Sequence, residues 1–457
     1  MVGSIKKPSY KKNLIFFLNL VVLLVLQPNL PIRNLRFWLP SVIIIITIVS
    51  WIIIRDKVRF NTLSIVKPIS AIAATYLLLI IVTKFGIFNN LYNQLKIINL
   101  LIFFGILFLL ITLNLITANG SRANYWIFVI IILFVFLKTP QLSLMISKGL
   151  RTITDQSVEL ATHLDISWLG FSYIAFRLIH TLREHEKGAL PDVDLVEYFN
   201  YVTFFPTMVA GPIDRFDHFQ KSFQNPDNHH NMRIIYSGQR ISIGLFKKFV
   251  VADLLSLIAL NEVNASQIHS SIWMWISVYA YAFLIFFDFS GYTDIAIGMA
   301  CLLGIEIPEN FSHPYAKKNL TLFWNSWHMT LTQFFRTYYF NPLARYLRTG
   351  KRKWSVWLII LTTQISTMVL IGFWHGIIIN FVLWGLWHGI GLFIQNRWSN
   401  SLGASIEKKF TSKLSNLLIN GVNIFLTFNF VSVGWVFFVL PNVQSSISVL
   451  KVLVGAG

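Results

Sequence analysis

Charge is what this sequence has least of. Only 12% of its 457 residues are charged, against 55% that are hydrophobic, and the mean hydropathy is +0.62. Soluble globular domains carry about twice that share of charge, so the composition excludes an ordinary soluble fold and reads as a polytopic membrane protein. Acidic residues are scarcer still, 19 Asp and Glu against 38 Lys and Arg. The net charge of +19 does not argue for nucleic acid. The basic residues sit in short connectors between apolar runs, where the positive-inside rule accounts for them. Cys301 is alone, which excludes an internal disulfide and a thiolate cluster, and no metal site is expected. The short alternating strands of a membrane barrel are missing. So are a Gly-x-Ser-x-Gly elbow, a His-Glu-x-x-His pair and a Walker loop, which leaves a serine hydrolase, a zinc protease or an ATPase without its parts.

What the chain does have is length in apolar runs. A helix needs about 20 residues to cross a ~30 Å hydrocarbon layer. Candidate runs lie at 14–26, 37–54, 65–83, 97–117, 124–137, 240–260, 271–289, 354–373, 376–395 and 416–440, with weaker ones at 167–180, 198–210, 292–304 and 329–342. They predict an all-α membrane protein with about eleven to thirteen helices, some tilted, buried or re-entrant, because helices satisfy their own backbone in lipid. The first run lacks a small-residue cleavage site and precedes Pro28 and Pro31, so a retained helix is expected rather than a signal peptide. Lys6, Lys7, Lys11 and Lys12, and the cluster Arg345, Arg348, Lys351, Arg352 and Lys353, assign the N-terminus and that loop to the cytoplasm. One membrane-embedded domain over 1–457 is expected, with scaffold helices over 1–150, a motif-bearing core over 165–395 and C-terminal helices over 416–457. The polar loop Asn225-Pro-Asp-Asn-His-His-Asn231 has adjacent histidines but no third ligand at a useful spacing, so it reads as solvated.

Against this apolar background, His328 and His375 stand out, each preceded by tryptophan, in Trp324-Asn-Ser-Trp-His328 and Gly372-Phe-Trp-His375-Gly. An ionisable group at membrane depth is costly and marks function by default. A neutral imidazole can take a proton from a hydroxyl and return one to a leaving group, as acyl transfer to an alcohol requires. For any one of these histidines the plainer reading is a helix-to-helix hydrogen bond. Trp387-His388 makes a third pair, but 13 residues separate His375 from His388, which on one unbroken helix puts them on roughly opposite sides and outside a shared site. A straight helix begun at Trp354 would carry His375 about 30 Å from Arg352 and Lys353. Asp288 and Asp294 flank Gly291; they could form an acid/base pair only if the helix broke there, and otherwise read as carboxylates accepting hydrogen bonds from backbone or arginine.

Five ordered motifs resemble the membrane-bound O-acyltransferase family: Phe205-Pro-Thr-Met-Val-Ala-Gly-Pro-Ile-Asp-Arg-Phe216, Asp288-Phe-Ser-Gly-Tyr-Thr-Asp-Ile-Ala-Ile-Gly298, Glu309-Asn-Phe-Ser-His-Pro-Tyr315, Phe323-Trp-Asn-Ser-Trp-His-Met-Thr-Leu331 and Gly372-Phe-Trp-His-Gly376. They span about 170 residues of the carboxy-terminal half, with a weaker echo in Gly170-Phe-Ser-Tyr-Ile-Ala-Phe-Arg177. The resemblance is to the bacterial branch that acetylates alginate or transfers D-alanine to teichoic acids. It implies a curved ring of helices around a thin centre, with a tunnel joining a cytoplasmic donor site to an extracytoplasmic acceptor site. It implies His375 as the principal catalytic histidine and His328 as the supporting one, with Asn325, Trp327, Asp294, Trp374 and Arg336 as substrate-binding candidates. No permanent cofactor is implied; acetyl-CoA is the implied donor substrate. Implied partners are a polysaccharide acceptor, an extracytoplasmic acyltransferase protein, an acyl carrier protein and membrane lipid, in a bacterial inner membrane. The chain departs from the family with Ser326 where relatives often carry Arg, with Thr337 in place of an acidic residue, and in Gly434-Trp-Val-Phe-Phe-Val439, which lacks a usual Arg. The rivals are D-alanyl transfer from a carrier protein to a cell-wall polymer and, from another class, a transporter or polysaccharide export component without chemistry.

Overall fold

The computed structural model describes residues 8–55, 62–85, 97–116, 122–224, 230–351, 354–399 and 413–456. Lys6, Lys7, the 225–229 part of the polar loop, Arg352 and Lys353 lie outside the described residues. Among the described residues every regular element is helical, as the composition requires. Leu35–Ile54, Ile65–Thr83, Ser271–Leu302, Val356–His375 and Leu414–Val439 are long and apolar enough to cross a membrane by themselves. Arg122–Lys138 with Pro140–Ile153 makes a sixth candidate, bent by 91°. The weaker runs take other forms. Residues 198–210 become the eight-residue helix Leu195–Val202 and a 3-10 turn at Phe205–Thr207, and 329–342 become Met329–Phe335 followed by a π turn at Arg336–Phe340. The runs at 271–289 and 292–304 merge into one 32-residue helix, Ser271–Leu302. Gly291 does not break it, so Asp288 and Asp294 stay apart.

The chain forms two compact units. The first comprises Met1–Gly238 with Ala296–Ile307. At its centre Leu35–Ile54 is buried almost along its whole length and joined to neighbouring segments by Ser41 on Tyr76 (2.7 Å) and the Trp51 indole donating to the Val193 carbonyl (2.9 Å). Pro8–Val25 lies on Leu195–Val202 through an Asn19–Asn200 hydrogen bond of 3.1 Å and the Phe16 and Phe199 rings. Charge is tolerated here only with partners. Arg177, 2% exposed, donates to the carbonyls of Tyr201, Val202 and Thr207 and to Thr207 Oγ1, and Lys11 donates to the Gly304 carbonyl at 3.0 Å.

The second unit comprises Gln239–Ile295 with Pro308–Gly457. Gly244 and Gly291 let two helices touch backbone to backbone, since a Cβ at Gly244 would stand 2.6 Å from the Gly291 carbonyl oxygen. Ion pairs flank that contact: Lys248 with Asp288, Lys247 with Asp294 at 2.7 Å, and Arg240 with Asp294 at 2.6 Å and Glu309 at 2.9 Å. Lys247 and Lys248 open a π turn, Lys247–Val251. Val356–His375 and Ile379–Trp398 pack as an antiparallel hairpin in which a Cβ at Gly385 would meet Val369 Cα at 2.6 Å. Beside it, Asn341–Thr349 buries Ala344 and Leu347 against Ile359 and leaves Arg345 and Arg348 exposed, the pattern of a helix at a membrane surface.

In the first unit, Asp165 lies in the connector after Pro140–Ile153 and is held against that helix by Ser147 and Arg151. Burial pushes its carboxyl up, but donation from Thr162, Ser147 and Arg151 outweighs this and brings it down to about 2. A depressed carboxylate adds stability that is present above the ordinary value of about 3.9 and is lost as pH falls through the lowered one. Asp165→Asn leaves buried Arg151 without its carboxylate (2.9 Å, side chain 6% exposed). The variant is expected to lose about 3–5 kcal/mol at pH 7 and to differ less from wild type near pH 2. Fluorescence-monitored unfolding of both proteins in detergent at pH 7 and pH 2 measures this; equal stability at pH 7 contradicts it.

Candidate active site

His328 is placed by backbone geometry before its side chain is considered. The short helix Leu320–Trp324, capped by Asn319 Oδ1 accepting from Leu322 N–H at 2.8 Å, ends just before it. His328 then adopts a left-handed conformation, φ 43 and ψ 54, and Met329–Phe335 starts after it. Its ring is 3% exposed, packed edge-on to Phe289 (centroids 4.7 Å apart) and to Trp374 (5.9 Å). Neither ring nitrogen has a hydrogen-bond partner.

His375 is the last residue of Val356–His375, and the chain leaves the helix at Gly376, whose N–H bonds the Gly372 carbonyl at 3.2 Å. Gly372 is needed at that exit because a Cβ there would collide with the Phe381 carbonyl oxygen. The helix resumes at Ile379 in the opposite sense. The half-buried imidazole of His375 meets Trp374 (4.6 Å), Phe438 (4.7 Å), Trp384 (5.7 Å) and Phe381 (5.8 Å). Trp374 therefore touches both His328 and His375.

The break at Gly376 removes the unbroken helix from which the separation of His375 and His388 was argued. The turn folds the second helix back, and Trp384 contacts both rings, at 5.7 Å from His375 and 5.1 Å from His388. His388 is fully buried, enclosed by Trp324 (5.0 Å), Trp384, Phe430 (5.9 Å) and Trp435 (6.1 Å). Its two ring nitrogens and the indole nitrogens of Trp324 and Trp384 have no hydrogen-bond partner.

The remaining candidates divide. Asn325 and Arg336 are exposed and bonded to each other across the His328 bend, Arg336 Nη2 to Asn325 Oδ1 at 2.7 Å. Trp327 is 4% exposed and stacks in an aromatic core with Phe323, Phe311, Tyr315 and Trp435. Asp294 is engaged by Lys247 and Arg240. Among the described residues no group of three or more His, Cys, Asp or Glu side chains could hold a metal ion. Sequence reasoning passed over Trp384 and Gly434. Trp384 sits three residues before a Trp-His pair and carries no charge to single it out. A Cβ at Gly434 would stand 2.6 Å from His388 Nε2, a closeness only the fold creates.

The membrane-bound O-acyltransferase (MBOAT) family model matches residues 121–439, more than half of the chain. A peptidoglycan O-acetyltransferase of Helicobacter pylori is 37% identical over 262 residues, which are 57% of this chain and 47% of that protein. A teichoic acid D-alanyltransferase of Streptococcus thermophilus is 30% identical over 60% of this chain and 68% of its own length. A probable alginate O-acetylase of Pseudomonas fluorescens is 32% identical over 60% of this chain and 52% of its own length. The chain thus spans from about half to about two thirds of these relatives.

The fit of Gly434 against His388 is open to a direct check. Gly434→Ala is expected to cost about 1–3 kcal/mol through overpacking. Combining it with His388→Ala, which vacates the clash, should cost less than the sum of the two changes. Thermal unfolding of the two single variants and the double variant decides; simple additivity would mean that the two residues do not press on one another.

Proposed function

The chain belongs to the membrane-bound O-acyltransferase family, and we propose from that premise that it moves an acetyl group from acetyl-CoA, on the cytoplasmic side, across the membrane toward hydroxyls of an extracytoplasmic polysaccharide. The observation that carries this reading is that His328 and His375 both pack edge-on to Trp374, with ring centroids 5.9 and 4.6 Å away. His375 takes the proton of the acceptor hydroxyl as its oxygen attacks the thioester carbonyl. The carbon–sulfur bond breaks, and the proton passes from His375 to the departing thiolate, so that an ester and a free thiol result. His328 and Trp374 orient the acyl group. Asn325 and the exposed Arg336 guide the polar part of the donor, which for acetyl-CoA carries phosphates that suit a guanidinium.

The setting follows from the same chain. The basic residues Lys11, Lys12, Arg345 and Arg348 favour a cytoplasmic N-terminus in a bacterial inner membrane. The helix that ends on His375 is 20 residues long, about 30 Å of rise, and starts just beyond the basic cluster. That length favours delivery toward the outer side, where a second, extracytoplasmic protein would complete transfer to the polymer. D-Alanyl transfer from an acyl carrier protein is the second reading. It is favoured by the relatives named for teichoic acid, since the match covers 68% of the Streptococcus thermophilus protein against 47% of the peptidoglycan O-acetyltransferase.

The test is thiol release by the purified protein in nanodiscs, offered acetyl-CoA or a D-alanyl carrier-protein thioester, for wild type and His375→Ala. Loss of a general base should reduce turnover by on the order of 10²–10⁴-fold. Release from acetyl-CoA alone supports acetylation, and release from the carrier thioester alone supports the second reading. Equal turnover in both proteins removes His375 from the reaction.

A further inference from the structure

We propose that Asn310 is a positioning residue for His328, fixing the backbone on which that imidazole is presented; the proposal rests on the role given to His328 above. The left-handed conformation of His328 is one that a side chain with a Cβ avoids, at a cost of about 1–3 kcal/mol, so it persists only where its surroundings over-determine it. Three hydrogen bonds that fix it end on Asn310. The Met329 N–H donates to the Asn310 carbonyl at 3.0 Å, and the Thr330 N–H and hydroxyl donate to Asn310 Oδ1 at 3.3 and 2.7 Å. A fourth bond, from the Ser312 N–H to the Ser326 carbonyl at 3.1 Å, ties the preceding side of the bend to the same connector.

Asn310 is fully buried, and its chemistry is specific to this task. A leucine of similar size has no acceptor for Thr330, and an aspartate would bring a charge into a fully buried position. The clamp acts on the backbone of residues 329 and 330, directly after the histidine, while Phe289 and Trp374 wall the ring on two sides. Loosening the clamp lets the bend relax toward a right-handed helical turn, which rotates the imidazole away from Trp374, the residue it shares with His375. Asn310 Nδ2 and both His328 ring nitrogens are buried with no hydrogen-bond partner. The oxygen of the carboxamide is thus committed to the fold.

The experiment uses the full chain in nanodiscs and compares wild type with Asn310→Ala, Thr330→Val and Thr330→Ser. The first readout is carbethoxylation of individual histidines by diethyl pyrocarbonate, mapped by peptide mass, which needs no substrate. The second is kcat and KM for thiol release from acetyl-CoA. Asn310→Ala should raise labelling of His328 several-fold, leave labelling of His388 unchanged and lower kcat by on the order of 10- to 100-fold, with KM nearly constant, as for a misplaced catalytic group. Thr330→Val, which keeps the backbone bond, should fall between, and Thr330→Ser should match wild type. In a His328→Ala background, Asn310→Ala should lower kcat no further. Unchanged labelling of His328 in both Asn310→Ala and Thr330→Val overturns the proposal, as does a Thr330→Ser variant no better than Thr330→Val. Should wild type release no thiol from acetyl-CoA, the donor reading fails, and the labelling still decides the clamp.

Discussion

A lipid interior offers no partner to a polar group, and this constraint orders the whole molecule. It makes every described regular element a helix and forces charge into closed sets. Arg177 spends its guanidinium on three carbonyls and a hydroxyl, Asp165 collects Thr162, Ser147 and Arg151, and Asp294 sits between Lys247 and Arg240. In each case the side chain is satisfied by neighbours that the fold brings to it.

The buried side-chain atoms without a hydrogen-bond partner include the ring nitrogens of His328 and His388 and the indole nitrogens of Trp324 and Trp384. They gather in one aromatic environment, where rings pack at 5–6 Å and hold shape without offering competing hydrogen bonds. Rings of this kind exclude water while leaving a few polar atoms within the packing. Two backbone features open the space for them: the left-handed turn at His328 and the helix end at Gly376.

Much of this was legible in the residues. Scarce charge and long apolar runs sufficed for a helical membrane protein, and the Trp-His pairs, read with their neighbouring motifs, led to the membrane-bound O-acyltransferase family. The spacing argument for His388 failed because helical periodicity was carried through Gly376, where one helix ends at His375 and the next begins at Ile379. Asp288 and Asp294 show the converse. The spacing argument for an unbroken helix held, and the carboxylates found separate cationic partners on the facing helix. Short segments such as 198–210 and 329–342 were overcounted as spans because hydropathy registers apolar content and not the turns that interrupt it.

By itself the sequence determined the solvent of this protein, the helical class and the Trp-His motifs by which its family is recognised, because each of these depends on composition or on residues close together in the chain. Only the tertiary structure decided which side chains meet. Asn310 reaches His328 across 18 residues, Gly434 reaches His388 across 46, and Trp384 joins His375 to His388 through a reversal of direction. Such contacts are set by where helices end and how closely glycines let them approach, and no local pattern of residues encodes either.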